Sequence, residues 1–144
     1  MEEAKQTEWV IPSCEQKLAG NKISIARLQL LIPSGAREKR GRDIDYEDFS
    51  VAYGQGNDQQ YLYGIWGPMA SRGFPSDSWI VSSAEIAPRS WRFGDAGGLD
   101  LRGRSKEGKF WRYFGTYGIG LSYKEASKEA AEYFDRIMGS ACYQ

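Results

Sequence analysis

The stretch LDLRGRSKEGKFWRYFG, Leu99 to Gly115, constrains this chain more than any other, because few hairpin loops close it and each sets a different cross-strand register. A two-residue loop at Glu107 and Gly108 places Arg104 against Trp111 and Leu101 against Phe114. A three-residue loop, Lys106 to Gly108 with Gly108 left-handed, places Leu101 against Tyr113, Gly103 against Trp111 and Arg102 against Arg112. The second register is preferred. It puts Leu99, Leu101, Trp111 and Tyr113 on one face, continued by Tyr117, Ile119, Leu121 and Tyr123, and Gly103 leaves room for the indole.

That register sets two guanidiniums opposite each other, which is unfavourable in a sheet unless an acid lies between them or an anionic partner covers them. Asp100 and Glu85 are the candidate internal acids. Arg also recognises carboxylates and phosphates bidentately, so Arg102 and Arg112, flanked by Phe110 and Phe114, form a candidate binding face. On this reading the odd-numbered residues of FWRYFGTYGIGLSY (110–123) form the core wall, and the even-numbered face stays open.

Elsewhere nine Tyr, five Trp, six Phe and seventeen Gly supply strand and turn residues, while helix formers concentrate in the last quarter. EWVI (8–11) reads as a first strand. KISIARLQLLI (22–32) alternates in two phases, which predicts one strand with a bulge near Ala26 or Arg27. AREKRGRDIDYED (36–48) reads as a charged, self-neutralising loop. DFSVAY (48–53) and QYLYGIW (60–66) form a hairpin around GQGNDQQ. GPMASRGFPSDS (67–78) is irregular, WIVSSAEI (79–86) returns as a strand, and APRSWRFGDAGG (87–98) is a second irregular stretch.

Near the C-terminus, either Ser122 with Glu125 or the later Ser127 caps an amphipathic helix. Its buried stripe is Ala130, Ala131, Phe134, Ile137 and Met138, and Gly139 stops it. The expectation is α+β over a single domain, residues 1–144: a mainly antiparallel sheet of about seven strands with one C-terminal helix packed on one face.

Composition narrows the chemistry. There is no histidine, which excludes Ser/His/Asp and Cys/His nucleophilic systems and histidine-based zinc and iron sites. DIDYED lacks the glycine and distal glutamate of an EF-hand, and the lone GxG at Gly118 and Gly120 does not make a dinucleotide loop, so no metal or cofactor is expected. Nineteen basic residues balance nineteen acidic ones, so no nucleic-acid partner is expected, and no apolar run is long enough for membrane insertion.

The only cysteines, Cys14 and Cys142, are neither a CxxC pair nor a zinc set; bonded, they would close nearly the whole chain into one loop. Such a bond persists in an oxidising compartment, so the expected location is periplasmic or secreted, with the signal peptide absent from this sequence; a cytoplasmic protein with two free thiols is the alternative.

The expected function is a non-catalytic binding domain with an unidentified protein or an anionic ligand as partner. The candidate residues are Trp66, Arg72, Trp79, Trp91 and Arg92 in the aromatic stretches, together with Arg102 and Arg112. The aromatics would otherwise seal the end of the sheet as minor core. The alternatives are a carboxylate-dependent hydrolase of glycans or a related polymer, with Glu85 and Asp95 as candidate acids, and a purely structural domain.

Overall fold

The computed structural model describes residues 8–14, 21–25, 27–67, 83–93, 96–116 and 118–143. In chain order the elements are β1 (Trp9–Val10), β2 (Lys22–Ile25), β3 (Leu28–Leu31), β4 (Arg37–Arg42), β5 (Glu47–Tyr53), β6 (Gln60–Trp66), β7 (Ser83–Phe93), β8 (Ala96–Ser105), β9 (Phe110–Thr116), β10 (Ile119–Ala126), α1 (Lys128–Gly139) and β11 (Cys142–Tyr143). The class is α+β. Eight strands form one sheet in the order β1-β7-β8-β9-β10-β6-β5-β4, and a small sheet runs β11-β3-β2. The large sheet is antiparallel except at its β1–β7 edge, where Trp9 and Val10 lie parallel to Trp91 and Arg92.

The β8–β9 hairpin has the register expected of the three-residue loop: Leu101 opposes Tyr113, Arg102 opposes Arg112 and Gly103 opposes Trp111. Gly108 is left-handed at φ +82°, as the loop requires. Gly103 accommodates the indole, because a Cβ there would collide with Trp111 Cε2 and Nε1.

The next connection changes the faces. Thr116 pairs with Ile119, so only two residues separate β9 from β10, and Leu121 opposes Phe114 while Tyr123 opposes Arg112. Residues of opposite parity therefore share a face. Leu121 and Tyr123 lie with Phe110, Arg112 and Phe114, not with Trp111 and Tyr113. This corrects the expected core wall in part: Trp111 and Tyr113 are buried as expected, but the main core lies on the even-numbered face of β9, with Phe114 buried in it.

The same parity rule corrects the stretch from Lys22 to Ile32. There is no bulged single strand; β2 and β3 pair with each other, Ile25 opposite Leu28 and Ile23 opposite Leu30, so the phase change marks a reversal. Two other segments also differ from expectation. Residues Arg37–Arg42 form an edge strand paired with β5, and their dense charge discourages further edge pairing. APRSWRFGDAGG is largely strand: β7 continues to Phe93 and β8 begins at Ala96.

Helix α1 starts at Ser127, whose Oγ accepts from the Ala130 N–H at 3.2 Å, so Ser127 is the cap and not Ser122. Ala130, Ala131, Phe134, Ile137 and Met138 are buried, and Lys128, Glu132 and Arg136 face outward. This apolar stripe shares one core with Leu28 and Leu30 of the small sheet and with Phe49, Val51 and Leu121 of the large one. Helix and small sheet thus cover the inner face of the large sheet. The Cys14–Cys142 disulfide, with Cα atoms 5.0 Å apart, joins the first described segment to β11. Beside it Cys14 N–H donates to Tyr143 O and Tyr143 N–H to Pro12 O. Among the described residues no helix is long and apolar enough to cross a membrane.

Candidate anion-binding groove beside helix α1

The inner face of β7–β9 carries a charged cluster at the end of this core. Asp100 lies two residues before Arg102 on β8, and Arg89 opposes it from β7. Asp100 is fully buried and Arg112 is 2% exposed. Arg112 donates from Nε to Asp100 Oδ1 at 2.8 Å and from Nη2 to Oδ2 at 2.9 Å. Arg89 donates from Nε and Nη2 to Asp100 Oδ2 at 3.1 and 2.8 Å. Helix α1 contributes Asp135, which accepts from Arg112 Nη1 at 2.8 Å and from the Tyr123 hydroxyl at 2.9 Å. The Trp9 ring lies 4.9 Å from the Arg89 guanidinium carbon and 5.8 Å from that of Arg112, within cation–π range.

Burial alone would raise the Asp100 carboxyl, but the hydrogen bonds and charge of Arg112, with help from Arg89 and Arg102, hold it below the usual carboxylate range. Burial would likewise disfavour the Arg112 cation, and Asp100 and Asp135 more than compensate, raising it. Burial raises the Tyr123 hydroxyl far above its ordinary range, reinforced by Asp135, so it remains a donor.

Arg102 is different. Its guanidinium reaches Asp100 Oδ2 only at 3.8 Å, and its side chain is 44% exposed. Burial and the charges of Arg112 and Arg89 lower its pKa, only partly offset by Asp100 and Asp135. Three guanidiniums thus share two carboxylates. Arg102 borders a groove of about 430 Å³ between α1 and the sheet, with Ile86, Phe110 and Ala131 as apolar wall and Arg104, Lys128 and Glu132 at its charged rim.

Of the expected site residues, the structure brings Arg102 and Arg112 together but gives them different roles: Arg112 is an internal strut and Arg102 faces the groove. Trp91 is on a strand, not a loop, and is buried, stacked on Phe114 at 4.4 Å, with its Nε1–H shared between Leu99 O and Gly115 O. Trp66, on β6, is half-buried on the inner face of the sheet, packed against the core beside Phe49. Arg92 points away from the core and meets Glu8 at 3.4 Å. Arg72, Trp79 and Asp95 lie outside the described residues.

Sequence reasoning anticipated Asp100 but missed Arg89, Tyr123 and Asp135. Asp135 adjoins Phe134 at the edge of the helix's apolar stripe, a position indistinguishable from an ordinary boundary acid until the helix is docked. No protein-family model matches the chain, and neither does any curated protein or solved structure.

Proposed function

We propose that the protein is a small exported, non-catalytic binding domain that holds an anionic group of its partner in the groove beside α1, with Arg102 as the recognising guanidinium. The observation that carries this reading is the surplus of one guanidinium over the carboxylates of the cluster, located at the most exposed of the three arginines and the one with no close contact to a carboxylate. Arg102 is 44% exposed and 3.8 Å from Asp100, whereas Arg89 and Arg112, 27% and 2% exposed, each reach a carboxylate at 2.8 Å. A planar guanidinium offers paired donors to a carboxylate or phosphate, and Phe110 and Ile86 supply apolar surface for the body that carries it. The disulfide supports export, since such bonds persist in oxidising compartments.

The test is a titration of the arginine side-chain N–H resonances with N-acetylphenylalanine, which joins a carboxylate to an aromatic body, and with inorganic phosphate. The Arg102 resonance should shift saturably with at least one probe, and Arg102→Gln should abolish the binding. Neither probe moving that resonance, or unchanged binding by Arg102→Gln, sinks the proposal.

A further inference from the structure

A second groove, of about 570 Å³, is lined by β6, β10 and the turn that precedes β6, and its chemistry is unlike that of the first. Tyr61 and Tyr63 alternate with the buried Leu62 on β6, so both project from the outer face of the sheet, 49% and 43% exposed. Their hydroxyls are already engaged: Tyr61 donates to Gln59 Oε1 at 2.8 Å and Tyr63 to Asp48 Oδ2 at 3.1 Å. Burial and Asp48 raise the Tyr63 phenol, which keeps that donor protonated. What the pair presents to a ligand is therefore two oriented ring faces.

The rest of the lining is polar and electrically balanced. Asn57 and Gln59 bring side-chain amides, and Lys109 and Lys124 are matched by Asp58 and Glu125. Glu125 is the one non-glycine among the described residues with positive φ, +52°, at the irregularity of β10 between Tyr123 and Ala126. Backbone held in this region concentrates at ligand sites, where the surrounding structure fixes a side chain in place.

We infer that this groove binds a neutral saccharide. An aromatic face is electron-rich, and the C–H bonds on one side of a sugar ring carry partial positive charge and stack on it. Amides and a carboxylate bind adjacent hydroxyls in pairs, since each offers two polar sites in one plane. Cancelling lysines against acids gives no preference for a charged ligand, and this separates the site from the Arg102 groove. The inference does not rest on the proposed anion site.

The test is calorimetric and NMR titration of the whole chain with cellotetraose, chitotetraose and maltotetraose, with N-acetylphenylalanine as the charged comparison. At least one tetrasaccharide should saturate and shift the resonances of Tyr61 and Tyr63. Tyr61→Ala and Tyr63→Ala should each weaken it by roughly tenfold, whereas Tyr63→Phe, which keeps the ring, and Arg102→Gln should stay within about twofold. Circular dichroism confirms that the variants fold. The inference is overturned if none of the three saturates up to roughly 10 mM, if the Tyr61→Ala/Tyr63→Ala double variant binds as wild type, or if shifts map only to the Arg102 groove.

Discussion

Arg112 meets Asp100 edge to edge, two nitrogens against two oxygens at 2.8 and 2.9 Å, with both side chains shut off from water. Such a pair gains little over an apolar pair of the same shape, but breaking it is costly because the surviving charge stays buried. Asp100→Asn should therefore destabilise by about 3 to 5 kcal/mol in urea unfolding, since three guanidiniums lose their shared carboxylate. Adding Arg112→Met should return part of that loss, and additive effects of the two changes would show that the pair is not coupled.

The same residue sets a pH dependence. The folded-state pKa of Asp100 is depressed below its unfolded value, so its stabilisation is present above the unfolded pKa and is lost as pH falls through the folded one. The unfolding free energy should fall on acidification below about pH 4, more steeply in wild type than in Asp100→Asn. Parallel acid limbs in the two proteins would contradict this.

Gly103 and Gly139 make opposite predictions from one substitution. At Gly103 a Cβ collides with the Trp111 indole, so Gly103→Ala should cost about 1 to 3 kcal/mol and alter the near-ultraviolet tryptophan signal. At Gly139, the last residue of α1, a Cβ meets nothing within 4 Å, so Gly139→Ala should stabilise by about 0.5 to 1 kcal/mol. Denaturant midpoints check both.

The Cys14–Cys142 link spans 128 residues, for which loop-closure entropy gives about 5 kcal/mol of stabilisation. A Cys14→Ser/Cys142→Ser protein should lose most of that in chemical unfolding while β11 still pairs with β3 through Cys142 and Gln29 positions. An unchanged unfolding free energy would mean that the β11 pairing and the Pro12–Tyr143 contacts restrain the termini by themselves.

The legible parts of the fold were those where loop length is written in the sequence. The Lys106–Gly108 loop has a glycine where left-handed backbone is needed, so its register, and with it the Arg102–Arg112 opposition, followed from residue spacing. The connections at Arg27 and Gly118 are tighter, and there a two-residue loop inverts which parity faces inward. Counting odd and even positions straight through Gly118 assigned Leu121 and Tyr123 to the wrong side. The true core of β9 then looked like an open face, because Arg112 reads as a surface residue until Asp100 and Asp135 are brought to it. Asp100, on the neighbouring strand, follows from the hairpin register, whereas Asp135 comes from the docked helix and its proximity has no local signature.

Arg102→Gln set beside Arg112→Gln in urea unfolding tests most directly whether Arg102 is surplus to the cluster and free to serve a ligand. Arg112→Gln should lose about 3 to 5 kcal/mol, because it removes the hydrogen bonds to Asp100 Oδ1 and Oδ2 and leaves that buried carboxylate hydrogen-bonded to Arg89 alone, while the part-exposed Asp135 loses its cation. Arg102→Gln removes a half-exposed cation crowded by Arg112 and Arg89, so its midpoint should match or exceed wild type, within about 0.5 kcal/mol. A loss for Arg102→Gln comparable to that of Arg112→Gln would contradict the account, making Arg102 one more strut of the core.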